Sequence, residues 1–284
     1  MKKLVNADSY LGASESRFFG SGYKKVDYII KEEEILSNEY KSTLTLVYPE
    51  DWSIKSKKKL NPHLSSIDVI LISAYASGKL LNQFDHSYYK ITSMIIRSSR
   101  VPVEKLINIP INIGLNHCDE GVTYLRGKVG NMQVQLKVER REFNDRLLNS
   151  IFSRWEFKDV THEINDILLE NKYKSKASVT KTAFGEIIDD IDYIDAFVSS
   201  LQIGQILLYE LDGITREASN NLWMRSIKIN EADVCNNQKV GTLEVTLENT
   251  CLIYKGNDKW RSADIVSSIN NIQVRCSVAH QLSH

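Results

Sequence analysis

Residues 63–81, HLSSIDVILISAYASGKLL, form a long apolar stretch with a single acidic residue, Asp68, near its start. No charged residue follows Asp68 until Lys79. A segment that is apolar on nearly every face predicts a helix that is buried on nearly every face. A similar stretch, DYIDAFVSSLQIGQILLY, returns at residues 192–209, with Asp195 in the place of Asp68. The chain therefore contains two candidate central helices, each with an aspartate in its first turn.

The two stretches belong to a longer internal repeat. Aligning Asp68 with Asp195 also brings IIRS onto WMRS, which pairs Arg97 with Arg225 at nearly the same spacing, 127 and 128 residues. Each helix is followed by three segments that alternate apolar and polar residues, as half-buried antiparallel strands do. Each is preceded by further strand-like stretches, KVDYIIKEEEIL and STLTLVYP in the first copy and KASVTKTAF in the second.

An apolar helix wrapped by an antiparallel sheet is the hot-dog arrangement. Two copies in one chain predict a double hot-dog of the α+β class, built by internal duplication. The predicted boundaries are 1–140 for the first repeat and 141–284 for the second, which begins with a helical or irregular linker, RREFNDRLLNSIFSRW. A two-domain mixed α+β protein is the alternative.

The composition argues against several classes of protein. Lys+Arg and Asp+Glu number 36 each, so no net field steers the chain to nucleic acid or anionic lipid. The basic run KSKKK at 55–59 is typical of a solvated loop.

No stretch reaches the roughly 18 apolar residues of a membrane helix, and the N-terminal segment does not resemble a secretory signal. We expect a cytoplasmic protein with no membrane or nucleic-acid partner. Its four cysteines, which we expect to be reduced, are Cys118, Cys235, Cys251 and Cys276.

The two helix aspartates admit two interpretations. Each lies where the helix dipole favours a negative charge by roughly 0.3–1 kcal/mol, with Ser65 or Ser66 and Asp192 as candidate caps. Alternatively, unpaired N–H groups at the helix start hold a thioester carbonyl, and the carboxylate removes a proton from the α-carbon. Partial burial would raise the carboxyl pKa toward a useful range. Asp195 and Asp68 are therefore candidate catalytic bases.

Other polar residues near the helices extend this candidate site. Gln202 lies two turns after Asp195 and either donates a hydrogen bond to substrate or is a buried glutamine satisfied by backbone. His63, before the first helix, is the second candidate base, with either aspartate as its partner, or else a cap or surface residue. Arg97 and Arg225 can clamp a carboxylate or phosphate, or pair with the aspartates themselves.

Four blocks of the sequence resemble the avirulence D (AvrD) family of bacterial plant-pathogen proteins. They are ESRFFGSGYKKVDY at 15–28, YPEDWSIK at 48–55, LNPHLSSIDVI at 60–70 and NLWMRSIKI at 221–229. The resemblance implies synthesis of syringolides, acyl glycosides assembled from a β-ketoacyl thioester and a five-carbon ketose such as xylulose. This joining of a β-ketoacyl chain to a sugar is similar to the reaction of the A-factor (γ-butyrolactone) synthases, which use a three-carbon phosphorylated sugar. The His-rich first strand with a Gly/Pro loop, typical of double hot-dog dehydratases, is not visible.

We therefore expect an acyl-condensing enzyme. A sugar hydroxyl attacks the thioester, and the methylene between the two carbonyls then adds to the sugar ketone and closes a lactone ring. No metal or redox cofactor is expected, because the thioester of coenzyme A or of an acyl carrier protein is itself the substrate. The sequence leaves the carrier and the oligomeric state open. The candidate catalytic residues are Asp195, Asp68 and His63, and the candidate substrate-binding residues are Arg17, Arg97, Arg225, Gln202 and Trp52.

Two other functions remain as alternatives. Duplicated hot-dogs can lose catalysis and keep a pocket, which would make the chain a binding protein for an acyl chain or a lactone. A dehydratase or thioesterase acting on an acyl thioester would instead show turnover without any sugar.

Overall fold

A computed structural model describes residues 1–55, 58–82, 88–141, 156–188, 191–219, 221–232, 240–256 and 258–282. The helices are α1 (Asp8–Leu11), α2 (Ser66–Asn82) and α3 (Tyr193–Asp212). The strands are β1 (Lys2–Asn6), β2 (Asp27–Leu36), β3 (Glu39–Val47), β4 (Ile54–Lys55), β5 (Lys58–Lys59), β6 (Tyr88–Arg97), β7 (Ile109–Asp119), β8 (Val122–Val129), β9 (Met132–Arg141), β10 (Val160–Leu169), β11 (Lys174–Ala183), β12 (Glu186–Ile188), β13 (Trp223–Glu231), β14 (Gly241–Lys255), β15 (Asp258–Ile269) and β16 (Ile272–Leu282).

The chain divides into two compact units. The first-repeat unit comprises Lys25–Pro49 and Asn61–Lys158. Its antiparallel strands follow the order β6-β9-β8-β7-β3-β2, and α2 packs on β3, β6, β7 and β8. The strands of this sheet alternate buried and exposed residues because one face covers the helix and the other meets solvent.

The second-repeat unit comprises Met1–Lys24, Glu50–Leu60 and Asp159–His284. Its antiparallel strands follow the order β13-β16-β15-β14-β11-β10-β1, with the short β12 paired to β11. Helix α3 packs on β10, β11, β14, β15 and β16. Except for the added edge strand β1, the strand order repeats that of the first unit. The predicted duplicated hot-dog of the α+β class is confirmed.

Each helix is followed by four strands, so the prediction of three segments was wrong. The last predicted segment of each repeat is a hairpin whose two strands join through a two-residue turn. Val129 pairs with Met132 and Ile269 with Ile272 across these turns. The first turn residues, Gly130 and Asn270, have positive φ angles of 58° and 50°. Glycine and asparagine accept this conformation readily, so a tight turn interrupts what looks like one alternating stretch.

Strand β10 was also missed from the sequence. Its alternation is interrupted by a β-bulge between Asn165 and Leu168, where Asp166 has a φ of 52°. The bulge adds a residue to one strand and shifts the following side chains to the opposite face. A simple period of two therefore fails over the sequence VTHEINDILL.

The two central helices are buried as their composition predicts. Every residue from Ser66 to Ala74 in α2 and from Tyr193 to Gly204 in α3 is buried. Within the described ranges, no helix is long and apolar enough to cross a membrane. Residues 142–155 of the predicted linker lie outside the described residues. The predicted 140/141 boundary falls at the end of β9 and stays a prediction.

Candidate functional site

Both helix aspartates take part in reciprocal caps of their helices. Ser65 N donates to Asp68 Oδ2 at 2.7 Å, and Asp68 N donates back to Ser65 Oγ at 3.2 Å. In the second repeat, Asp192 N donates to Asp195 Oδ2 at 2.8 Å, while Asp195 N donates to Asp192 Oδ1 at 3.0 Å. The helix-stabilising interpretation is therefore confirmed for both residues. Such caps contribute about 0.5–2 kcal/mol each.

The caps also occupy N–H groups that the sequence analysis left for a substrate carbonyl. Asp192 Oδ1 accepts from Ile194 N at 2.8 Å as well as from Asp195 N. These two amides of α3 are therefore committed to the helix cap. The expectation that they hold a thioester carbonyl was wrong, because a side-chain oxygen reaches them first.

Asp195 carries a second set of contacts beyond its cap. His162 Nε2 lies 2.6 Å from Asp195 Oδ1, and Lys181 Nζ lies 2.6 Å from Asp195 Oδ2. Lys181 Nζ also lies 3.4 Å from Asp192 Oδ2. The side chains of His162 and Asp195 are only 3% exposed, and that of Lys181 is 2% exposed. The start of α3 thus holds a buried cluster of two carboxylates, an ammonium group and an imidazole.

The sheet presents this cluster to the helix. His162 on β10 and Lys181 on β11 are direct cross-strand neighbours. Cross-strand neighbours on one face have Cβ atoms about 4.5–5.5 Å apart, so their side chains can converge on a single group. The aspartate on α3 is that group. A slip of either strand by one residue would turn its side chain to the other face.

The two carboxyl groups of the cluster have opposite pKa shifts. Burial alone raises the pKa of Asp195, but the Coulombic attraction of His162 and Lys181 outweighs it and holds the pKa below its usual range. Burial and the charge of Asp195 together raise the pKa of Asp192, only partly offset by Lys181. Asp195 is therefore the carboxylate that stays ionised in this cluster.

The segment FFGSGYKK supplies two more residues to this region. Tyr23 is fully buried, and burial followed by the charges of Asp195 and Asp192 raises its pKa well above the usual value. Lys24 donates to the carbonyl of Val160 at the start of β10. Burial lowers the pKa of Lys24, and the charge of Asp195 partly restores it. Both residues thus lie within electrostatic reach of the cluster.

The two ring nitrogens of His162 differ in their hydrogen bonding. An ionised Asp195 only accepts hydrogen bonds, so the His162 Nε2 facing it carries the proton. The other ring nitrogen, Nδ1, is buried and has no hydrogen-bond partner within the part of the chain that the structure describes. In the neutral imidazole with this tautomer, Nδ1 has a free lone pair. A histidine that is oriented by a carboxylate at one ring nitrogen and has no hydrogen-bond partner at the other has the arrangement of a general base.

The corresponding cluster in the first repeat is uncharged apart from its aspartate. Tyr28 donates to Asp68 Oδ1 at 2.7 Å, and Tyr48 donates to Asp68 Oδ2 at 2.6 Å. Asp68 is fully buried, and burial raises its pKa, partly offset by the hydrogen bonds from the two tyrosines. Burial and the charge of Asp68 raise the pKa of Tyr48 well above its usual value. With its cap from Ser65, the Asp68 carboxyl is surrounded by donors.

The bulges of the first strands show which residues correspond. In β2 the bulge lies between Lys31 and Glu34, and in β10 it lies between Asn165 and Leu168. Counting back three residues from Lys31 and from Asn165 gives Tyr28 and His162. The residue that contacts the helix aspartate from the first strand is thus tyrosine in one repeat and histidine in the other.

Two predicted substrate-binding residues bind each other. Arg17 Nη1 donates to Gln202 Oε1 at 2.7 Å, and the same guanidinium pairs with Asp8. Arg17 and Gln202 are each only 4% exposed. Trp52 is also buried and packs edge-on against Phe18 with ring centroids 5.3 Å apart. Their predicted roles in binding substrate stay predictions.

The remaining predicted residues lie outside the cluster. His63 Nδ1 lies 3.2 Å from the carbonyl oxygen of Asn61, and His162 takes the place at Asp195 that was considered for it. Arg97 ends β6 and Arg225 lies in β13, and both are exposed. The donors to the two helix aspartates are other residues, so the predicted alternative of arginine–aspartate pairs was wrong.

The pairing of Arg97 with Arg225 was wrong as well. Arg225 lies in the β13 bulge between Met224 and Ser226. The equivalent bulge of β6 lies between Ile91 and Ser93 and contains Thr92, not Arg97. The similarity of IIRS and WMRS is therefore a coincidence of composition, because the two arginines occupy different positions of their strands.

One protein-family model matches most of the chain. The model described as Pseudomonas avirulence D protein (AvrD) matches residues 2–146 and 158–283. The chain belongs to the AvrD family. Both central helices and both aspartate clusters lie inside the matched ranges, which confirms the resemblance seen in the sequence. A search of curated protein sequences finds no match.

Solved structures of low sequence identity align with the AvrD-family chain over most of its length. A putative thioesterase from Novosphingobium aromaticivorans is 7% identical, with 90% of this chain and 98% of that chain covered and a TM-score of 0.49. The tesB protein of Mycobacterium avium subs paratuberculosis is 8% identical, with coverages of 88% and 96% and a TM-score of 0.48. The dehydratase domain of RzxB from Pseudomonas fluorescens is 12% identical, with coverages of 86% and 94% and a TM-score of 0.42.

Sequence reasoning missed His162, Lys181 and Tyr23 of this AvrD-family site. The signal for Lys181 was present, because β11 alternates strictly and Lys181 falls in phase with the buried Val179 and Ala183. A lysine in the inward phase of a strand needs a buried partner. His162 gave a weaker signal, since the bulge of β10 hides the phase of that strand.

Proposed function

We propose that this AvrD-family chain joins a β-ketoacyl thioester to a ketose and closes a lactone ring, with His162 as the general base. The observation that carries the proposal is the buried imidazole, oriented by Asp195 through Nε2 and without a hydrogen-bond partner at Nδ1 among the described residues. Membership of the AvrD family supports this substrate class. The similarity of the fold to hot-dog thioesterases and dehydratases is consistent with an enzyme that acts on thioesters.

The first step is acyl transfer. His162 Nδ1 takes the proton of a sugar hydroxyl while the hydroxyl oxygen attacks the thioester carbonyl. The tetrahedral intermediate collapses with cleavage of the C–S bond, and the departing thiolate takes the proton back from the imidazolium. The products are a sugar ester and a free thiol, and His162 returns to its starting state.

The second step is carbon–carbon bond formation. The methylene between the ketone and the new ester is acidic, because both carbonyls stabilise its carbanion. His162 Nδ1 removes one proton, the carbanion adds to the sugar ketone, and the resulting alkoxide takes the proton from the imidazolium. The bond closes a lactone ring. Both steps move protons and change no oxidation state, so they require no redox cofactor.

In this mechanism, Asp195 and Lys181 orient and stabilise the imidazole of His162. Asp195 fixes the tautomer of the imidazole and stabilises the imidazolium that forms in each step. Lys181 acts together with His162 to hold the pKa of the buried Asp195 carboxyl low, which keeps it ionised. The tautomer that leaves Nδ1 free exists only with the carboxylate form of Asp195, which makes Lys181 a positioning residue.

The proposal assigns catalysis to the second repeat. Tyr28 takes the place of His162 in the first repeat, and its phenol donates to Asp68. A phenol that donates its proton to a carboxylate has no basic nitrogen to offer. Asp68 itself is enclosed by the hydroxyls of Tyr28 and Tyr48 and by the amide of Ser65. We therefore assign Asp68 a structural role, in contrast to the sequence-based proposal that it acts as a base.

A binding protein is the second candidate function. The observation that favours it is that both oxygens of Asp68 and of Asp195 are engaged by neighbouring side chains and backbone amides. In that case the clusters would only stabilise the two helix starts. A thioesterase is a third candidate, since the same histidine can activate water in place of a sugar hydroxyl.

Product analysis by mass spectrometry separates these functions. Purified protein is incubated with β-ketooctanoyl-coenzyme A, or with the same acyl group on an acyl carrier protein, in the presence and absence of xylulose. We expect an acyl-sugar adduct from the wild type and from Asp68→Asn, and none from His162→Gln. Thiol release at the same rate without sugar would establish a thioesterase. Binding of the acyl chain without any turnover would establish a binding protein and refute the proposal.

A further inference from the structure

An open groove lies on the outer face of the first-repeat sheet, opposite the face that covers α2. It has a volume of 640 Å³, within the range of about 300–1,000 Å³ that small-molecule sites occupy. Its lining is dominated by cationic and amide side chains. The lining residues are Arg97, Asn112, Arg126, Gly127, Lys128, Gln133, Val134 and Gln135.

Strand register places the cations of the groove side by side. Arg97 on β6 faces Gln133 on β9, Gln133 faces Lys128 on β8, and Lys128 faces Asn112 on β7. These four residues form one row across the sheet. Arg126 lies two residues from Lys128 on the same face. Neighbouring strands are about 4.8 Å apart, so Arg97 and Lys128 are separated by about 10 Å and Arg126 and Lys128 by about 7 Å along the strand.

The three cations have no counter-charge within the described part of the chain. Arg97, Arg126 and Lys128 are exposed, and each is without an ion pair or side-chain hydrogen bond among the described residues. Glu39, which lies in the same cross-sheet row as Arg126, is bound by Lys41 at 2.8 Å and by the side chain of Asn112. Like charges on one sheet face repel each other. The sheet therefore carries an uncompensated positive patch.

The corresponding face of the second-repeat sheet is arranged differently. Its exposed Arg275 lies 2.6 Å from Glu248 and 3.0 Å from Asp264. This arginine is thus neutralised within the fold. The contrast indicates that the positive charge of the first-repeat groove is directed at something outside the fold.

We propose that this groove binds a small molecule that carries two phosphate groups. Arginine presents a planar fork that matches phosphate oxygens in pairs, and lysine adds a point charge. Three cations spread over about 7–10 Å serve two phosphate groups better than one. The amides of Gln133 and Gln135 offer hydrogen bonds to the part of the ligand between or beside the phosphates. The size of the groove favours a small molecule over a macromolecular partner.

Two classes of small molecule carry two phosphate groups, nucleotides and doubly phosphorylated sugars, and direct binding measurements distinguish between them. Adenosine 3′,5′-bisphosphate represents a nucleotide, and xylulose 1,5-bisphosphate represents a doubly phosphorylated sugar. Inorganic phosphate is the single-phosphate probe. We expect calorimetry to show binding of one bisphosphate at least tenfold tighter than that of inorganic phosphate, with affinity falling as salt rises. Whichever bisphosphate binds identifies the class.

Variants with matched controls test the location. Arg126→Gln and Lys128→Gln remove cations of the groove, whereas Arg100→Gln and Lys105→Gln remove exposed cations elsewhere in the same unit. We expect the first pair to weaken binding at least tenfold and the second pair to leave it within twofold. Without ligand, Lys128→Gln should not lower the melting temperature, because it relieves repulsion.

Two results would overturn the proposal. One is the failure of both bisphosphates to bind at millimolar concentration, and the other is binding that the groove variants leave unchanged. Neither result depends on turnover, so the proposal stands or falls independently of the reaction proposed for His162.

Discussion

His162 on β10 occupies the position that Tyr28 occupies on β2, and each side chain contacts the aspartate at the start of its central helix. The duplication kept the helix cap and changed what surrounds it. In the first repeat two neutral phenols donate to Asp68, whose pKa is raised mainly by burial. In the second repeat an imidazole and an ammonium group surround Asp195, whose pKa they hold low. One architecture thus contains a cluster in which two phenols surround the helix aspartate and a cluster in which an imidazole and an ammonium group surround it.

Replacing His162 with glutamine should abolish most of the activity. Loss of a positioned general base costs about 10²–10⁴-fold in rate. Glutamine keeps a donor toward Asp195 but has no basic nitrogen, so the fold and the binding of the acyl thioester should persist. The rate of product formation is measured by mass spectrometry, and folding is checked by circular dichroism.

His63→Gln is the matched control for that variant. His63 lies before α2 and contacts the backbone of Asn61, so its loss should change the rate less than twofold. If His63→Gln lost as much activity as His162→Gln, the sequence-based choice of base would be right and His162 would be structural.

The two helix aspartates should differ in what their neutralisation costs. Asp195→Asn leaves the ammonium group of Lys181, 2% exposed, without its nearer counter-charge. Removing one partner of a buried ion pair typically costs about 3–5 kcal/mol. Asp68→Asn removes a buried charge and keeps an oxygen for the hydroxyl donors, so it should change the free energy of unfolding by less than about 1 kcal/mol. Urea denaturation measures both, and equal losses would contradict the ion-pair account.

Replacing Lys181 with methionine should make stability depend on pH. In the wild type the depressed pKa of Asp195 means that its contribution is present above about pH 4, the usual unfolded value, and is lost only as pH falls through the lower folded pKa. Without Lys181, the buried charges of Asp195 and Asp192 repel each other, and the folded pKa of each carboxyl rises.

The deficit of Lys181→Met relative to wild type should therefore be greatest at neutral pH and shrink as pH falls toward about 4. Urea denaturation at pH 7.5 and pH 4.5 measures it. A deficit that is equal at both values would mean that Lys181 stabilises the fold through packing alone.

Two helix glycines should respond in opposite directions to alanine. A Cβ at Gly204 of α3 would lie 2.5 Å from Cδ1 and 2.8 Å from Cγ2 of Ile265 on β15. Overpacking of this kind costs about 1–3 kcal/mol. A Cβ at Gly78 of α2 would meet nothing within 4 Å, so Gly78→Ala should stabilise by about 0.5–1 kcal/mol. Thermal denaturation of both variants measures the contrast, and a Gly204→Ala protein as stable as wild type would refute the close approach.

Parts of the candidate site were predictable from the sequence and parts were not. Asp68 and Asp195 were visible because each is the first charge in an apolar helix. Asp192 and Ser65 were predictable as caps because capping is local. His162 was not found because the bulge at Asn165 obscures the phase of β10. Arg97 and Arg225 were paired wrongly because a short similarity carries no information about bulges.

The sequence by itself determined the duplication, the two buried helices and the aspartate at the start of each. These features depend on periodicity, composition and contacts within a few residues, which the order of residues specifies directly. Only the tertiary structure decided that His162 and Lys181 converge on Asp195, while Tyr28 and Tyr48 converge on Asp68. These contacts join residues far apart in the chain through strand register, and a shift of one residue would reverse which side chains face the helix.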